Sequence, residues 1–91
     1  MKIKDGFMLR QIAGSWVVVP LEQRVVEFNG LMSLNESGAM LWKLLEAGAE
    51  IDDLVKAITN EYAIDEDTAR KDIEELLDNL AAKGLIERTD A

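Results

Sequence analysis

Carboxylates dominate the reactive side chains: 18 Asp and Glu stand against 10 Lys and Arg, with one Tyr and neither Cys nor His. Without Cys there is no disulfide, no thiolate nucleophile and no cysteine metal ligand, which suits a reducing cytoplasm. Without His the commonest general base and most zinc sites are gone. The densest acidic run, Asp65-Glu66-Asp67, invites a calcium reading. It lacks the Gly and the distal bidentate Glu of an EF-hand loop, so it reads as the cap and first turn of a helix. Paired carboxylates on an exposed helix face lack the burial that shifts a pKa into a catalytic range. The expectation is a non-enzymatic chain with no catalytic residue, no metal and no cofactor, whose charged groups serve binding.

The elements that must position those groups divide at one junction, Leu31 to Trp42. Leu31 and Ser33 alternate with Met32 and Leu34 as in a half-buried strand. Asn35 then suits a helix N-cap, and Glu36 places negative charge at the positive end of the helix dipole. Upstream, Phe7–Ala13 and Trp16–Val19 read as strands, with Gly14-Ser15 as a two-residue turn between them and Pro20 as a stop. Val25–Phe28 and Leu31–Leu34 flank Asn29-Gly30, which fits either a hairpin or one bent third strand with a bulge at Gly30.

Downstream, a helix from about 36 to 46 carries Leu41, Leu44 and Leu45 on one face with Trp42 beside it. A second, about 51 to 62, shows Ile51, Leu54, Val55, Ile58 and Tyr62 at helical spacing, with Glu50 a poor cap. A third, about 66 to 83, starts from Asp65 and buries Ala69, Ile73, Leu76, Leu77 and Leu80. Gly84 stops it, and Leu85-Ile86 fold back onto its last turn. Trp16 and Trp42 read as core anchors, and Gly38, costly in a first turn, as a point of close approach to the strand. The expected fold is α+β and winged-helix-like: an N-terminal three-stranded antiparallel sheet within residues 7–34, then a three-helix bundle. Residues 1–91 form a single domain on this reading.

The segment after Met1 to Gly6 holds no long apolar run, so neither a signal peptide nor a membrane span is expected. Charge is uneven. Residues 1–34 carry four basic and three acidic side chains, whereas residues 35–91 carry six and fifteen, within a net charge of −8. An acidic helical half repels a phosphate backbone and attracts a basic partner.

The run Leu34-Asn35-Glu36-Ser37-Gly38-Ala39, followed by Trp42 and Leu45, resembles the "LNETG…W…L" segment of the PqqD family. So do Val55 through Tyr62, the pair Asp72-Ile73, and the ending Leu80…Lys83-Gly84-Leu85-Ile86, so that the likeness spans roughly residues 7–87. Glu50 departs from the family's usual Thr or Ser, a matter of helix capping. The family comprises peptide chaperones of pyrroloquinoline quinone biosynthesis, and its relatives are the recognition elements for ribosomally made, modified peptides. The resemblance implies an adaptor that binds a precursor's leader peptide by strand addition at the third strand and in a groove against helix three. A radical S-adenosylmethionine or other peptide-modifying enzyme then acts on that precursor.

Physics permits this mode, because an exposed strand edge offers unpaired N–H and C=O groups to an extended peptide. The expected site joins Leu31, Met32, Ser33 and Leu34 on the strand to Asp72, Glu75, Leu76 and Asn79 on the helix. Leu31 and Met32 would give apolar contact, while Asp72 and Glu75 would pair with Lys or Arg of the leader. The same edge admits a homodimer. The alternative function is a winged-helix DNA-binding regulator. Helix three would then be the recognition helix, yet it carries Asp72, Glu74, Glu75 and Asp78, which oppose phosphate contact. Neither a nucleic acid nor a membrane is expected as partner, and the location is expected to be cytoplasmic.

Overall fold

The computed structural model describes residues 1–21 and 32–86. Among these the order is β1 (Phe7–Ile12), β2 (Ser15–Pro20), β3 (Met32–Leu34), α1 (Glu36–Ala47), α2 (Ile51–Glu61) and α3 (Glu66–Ala82). This is the α+β arrangement of three antiparallel strands followed by three helices, with strand order β1-β2-β3. The choice between a hairpin and a bent strand falls on residues 25–31, outside the described residues.

The β1–β2 turn sits one residue earlier than Gly14-Ser15. Ile12 pairs with Ser15, which leaves Ala13 and Gly14 as the loop. Their φ values are +51° and +81°. A two-residue hairpin loop of this kind needs positive φ at both central positions so that its twist matches the strands. Gly14 adopts that conformation freely, whereas Ala13 is strained there.

Register decides which strand residues meet the helices. Leu9, Val18 and Met32 lie opposite one another across the three strands, and Trp16 faces Leu34. Val18 and Met32 enter a core with Trp42, Leu45, Leu54, Ile73, Leu77 and Leu80. Trp42 is completely buried, as an anchor should be, but Trp16 is only half-buried and holds the Lys43 ammonium 4.5 Å from its ring centre. Leu44 does not join Leu41 and Leu45: it is exposed, because the buried stripe of α1 runs through Gly38, Ala39, Leu41, Trp42 and Leu45.

Helix ends follow local chemistry. Asn35 Oδ1 accepts from the Gly38 N–H at 2.8 Å, and Asp65 Oδ1 accepts from the Thr68 N–H at 2.7 Å. The start of α2 is better capped than Glu50 alone suggests, because Asp53 accepts from the Glu50 N–H at 2.9 Å, half of a capping box. At the end of α3, Leu85 N–H donates to Leu80 O at 2.8 Å and Gly84 N–H to Ala81 O at 3.0 Å. These are the two bonds of a Schellman motif, and they turn Leu85 and Ile86 back into the core, where Ile86 bridges to Ile3.

Two predictions follow from these local geometries. Ala13→Asn relieves the left-handed strain and should raise stability by about 0.5–1 kcal/mol. The change should appear as a higher urea midpoint with an unaltered slope. The second concerns the two caps. Hydrogen bonds from the Thr68 side chain and then its backbone hold the Asp65 carboxyl below its ordinary 3.8. A carboxyl whose folded pKa is lowered contributes stability above the unfolded value and loses it as pH falls through the folded one. Asp65→Ala should therefore destabilise at neutral pH, with the deficit closing below about pH 3.8. Asn35→Ala, which removes an uncharged cap, should cost about 1 kcal/mol at either pH. Denaturant titrations of both variants at the two pH values check this.

Candidate functional site

β3 lies at the margin of the sheet, and among the described residues its strand partner is β2 alone. Opposite that margin runs α3. Between the two opens a groove of about 660 Å³. Helix α1 leaves β3 after a single residue, Asn35, so its first turn closes one part of the groove. That turn packs hard against the strand end. A Cβ on Gly38 would stand 3.1 Å from Asn35 Oδ1 and 3.4 Å from Leu34 Cβ, the close approach expected of this glycine.

The groove collects the expected residues from both elements. Met32, Ser33 and Leu34 line it from β3, and Asp72, Glu75, Leu76 and Asn79 line it from α3. Leu31 lies outside the described residues. The three strand residues differ in what they offer. Met32 and Leu34 are buried in the core, whereas Ser33 is exposed. The apolar surface therefore comes less from Met32 than its position suggests, and more from half-buried Leu76.

Tyr62 and Ile64 also line the groove, a place that sequence spacing does not give them. Tyr62 is 37% exposed. It continues the α2 stripe by sequence, but α2 ends at Glu61 and leaves Tyr62 as its C-terminal cap residue. Ile64 stands alone in the short connection to α3, where no periodicity exists to assign it. Ile58, Ala69 and Ile73 reach the groove from the core stripes of α2 and α3, so sequence spacing marks them as core and gives no sign of a second contact.

The electrostatics are one-sided. Among the described residues no Lys or Arg lines the groove, and Asp72 and Glu75 are exposed without an ion pair. Arg70, the nearest arginine in sequence, is engaged elsewhere. Its guanidinium donates to Asp52 Oδ1 at 2.9 Å and lies 3.7 Å from Glu66 Oε1. The hydrogen bond to Asp52 is the main cause of its raised pKa. Asp65 is occupied as a cap, and among the described residues no three His, Cys, Asp or Glu side chains converge on a metal position. No helix among the described residues is long and apolar enough to cross a membrane.

The fold recurs in known structures. "TbiB1 in Complex with the TbiA(beta) Leader Peptide" is 31% identical over 100% of both chains, with a TM-score of 0.79. "Lasso peptide synthetase B1 complexed with the leader peptide" is 20% identical over 96% of both chains, with a TM-score of 0.76, a likeness of fold. No curated protein sequence matches the chain significantly. The sequence model of the family described as coenzyme PQQ synthesis protein D (PqqD) matches residues 15–86, a span that holds β2, β3, all three helices and the whole groove. The chain belongs to the PqqD family.

Proposed function

We propose that the chain is a non-catalytic adaptor that holds the leader of a ribosomally made precursor peptide and presents it to a modifying enzyme. The observation that carries this reading is the open groove between the β3 margin and α3. A strand edge supplies main-chain hydrogen bonds to an extended peptide, and the facing helix chooses its side chains. The 31%-identical relative is itself a complex with a leader peptide.

The peptide-binding residues on this reading are Met32, Ser33 and Leu34, with Leu31 before them, and Asp72, Glu75, Leu76 and Asn79. The strand residues contribute backbone pairing and Leu76 an apolar contact. Asp72 and Glu75 stand ready for a Lys or Arg of the leader, since neither is neutralised by the protein's own described residues. The partner enzyme is a radical S-adenosylmethionine protein or another peptide-modifying enzyme, and a cysteine-free chain of this kind suits the cytoplasm. A second copy pairing at the same margin would exclude the peptide, so homodimer and leader complex are alternatives there. DNA binding finds no support: the groove face of α3 presents carboxylates and no cation.

Titration with the short peptide encoded beside this gene tests the proposal by nuclear magnetic resonance. Amide shifts should concentrate in Met32–Leu34 and α3, and their absence there removes the adaptor reading. Asp72→Lys and Glu75→Lys should each weaken binding by about tenfold or more. Added salt should weaken the parent more than either variant, because the ion pair it screens is gone in them. Asn79→Ala, which changes no charge, should leave the salt dependence as it is.

A further inference from the structure

A second depression, of about 530 Å³, lies where β3 passes into α1, and it shares Ser33, Leu34 and Asn35 with the groove. A chain lying along β3 therefore passes from one concavity to the other over three common residues. The chemistry of the second is different. Gln11 and Ser15 bring an amide and a hydroxyl from the β1–β2 hairpin, and Glu36 brings a carboxylate. Asn35 Oδ1 is already engaged by the Gly38 N–H at 2.8 Å and by Ser37 Oγ at 3.0 Å. Its amide NH2 is thus the group left to meet a ligand. Trp16 adds an apolar surface beside these polar groups.

Direction follows from the sheet. Both of its pairings are antiparallel, and antiparallel pairing is slightly the more stable per residue. A peptide added to β3 in that sense places its N-terminal end beside Leu34 and its C-terminal end beside Met32. Residues just upstream of the added strand then arrive at the second depression, and residues downstream leave from the opposite end.

We infer that the peptide is held at two contiguous subsites: its strand-forming stretch in the groove, and a short upstream segment of polar, non-acidic residues in the β3–α1 depression. This inference rests on the peptide-binding reading above. An extended chain rises ~3.3 Å per residue, so a depression of this size takes about two to three residues. Ser, Thr, Asn, Gln and Lys satisfy the amide, hydroxyl and carboxylate that line it, whereas Asp and Glu meet repulsion from Glu36. Anchoring the upstream end leaves the downstream end free to enter a second protein. Two linked contacts also act as one tighter site, because the second forms within an already assembled complex.

The test selects ligands for the intact chain from a random peptide library and maps, by amide protection, the stretch of each that pairs with β3. The tightest such peptide is then compared with a version truncated to that stretch, on the parent chain, Ser15→Tyr and Gln11→Ala. Ser15→Tyr fills the depression from an exposed strand position, and Gln11→Ala removes one polar partner without adding bulk. Circular dichroism establishes that both remain folded. On the parent the full peptide should bind about tenfold tighter than the truncated one. Ser15→Tyr should abolish that advantage and Gln11→Ala should reduce it, with the truncated peptide binding all three proteins alike. If truncation costs nothing, or the advantage survives in both folded variants, the second subsite is overturned while groove binding stands. If no selected peptide protects Met32–Leu34, the peptide-binding reading itself fails.

Discussion

Leu34 is the last residue of β3 and Glu36 the first of α1, so one residue turns the chain from extended to helical. Asn35 makes that turn with an extended backbone and a side chain that caps the helix it introduces. A connection this short leaves little freedom in how strand and helix sit together. Gly38, in the first turn of α1, has no Cβ, and the space a Cβ would need is taken by Leu34 and by the cap oxygen of Asn35. Trp42, one turn further, is fully buried and ties the same helix to the common core. The placement of β3, and with it the whole groove, depends on this junction.

The acidic side chains divide by what they face. Asp65 caps α3, Asp53 closes the start of α2, and Asp52 and Glu66 hold Arg70. Asp72 and Glu75, on the groove side of the same helix, have no such occupation among the described residues. Exposed ion pairs contribute little to stability, so their arrangement is governed weakly by folding. A pair of carboxylates left open beside an apolar trough is therefore better understood through what the trough binds. The net charge of −8 adds a longer-range field that favours a basic partner and opposes nucleic acid.

Much of the fold could be read from local pattern, for identifiable reasons. The helices announce themselves through spacing: Leu54, Val55 and Ile58 in α2, and Ala69, Ile73, Leu77 and Leu80 in α3, are the residues that the structure buries. Asn35 and Asp65 are caps because short polar side chains reach the free N–H groups of a first turn. Where the structure departs from local pattern, the departure also has a physical cause. Gly14-Ser15 suits a two-residue loop because Gly usually leads such a turn, but Ala13 adopts positive φ and moves the loop back by one residue. Leu44 fits the helical spacing, but the buried face is centred on Gly38, Leu41, Trp42 and Leu45, and Leu44 lies beyond its edge.

Within the groove, Met32 to Leu34 and Asp72 to Asn79 were accessible to sequence reasoning, because a family resemblance named the strand and the helix that meet there. Tyr62 and Ile64 were not, since their approach depends on how α2 ends and how its connection turns into α3. The amino-acid sequence by itself determined the type and order of the elements, the caps, the core stripes and the surplus of acidic charge. All of these follow from interactions between residues a few positions apart. Only the tertiary structure decided which carboxylates remain unoccupied among the described residues, that β3 ends the sheet they form, and that two concavities meet along it. Those depend on the packing of segments far apart in the chain, which no local pattern encodes.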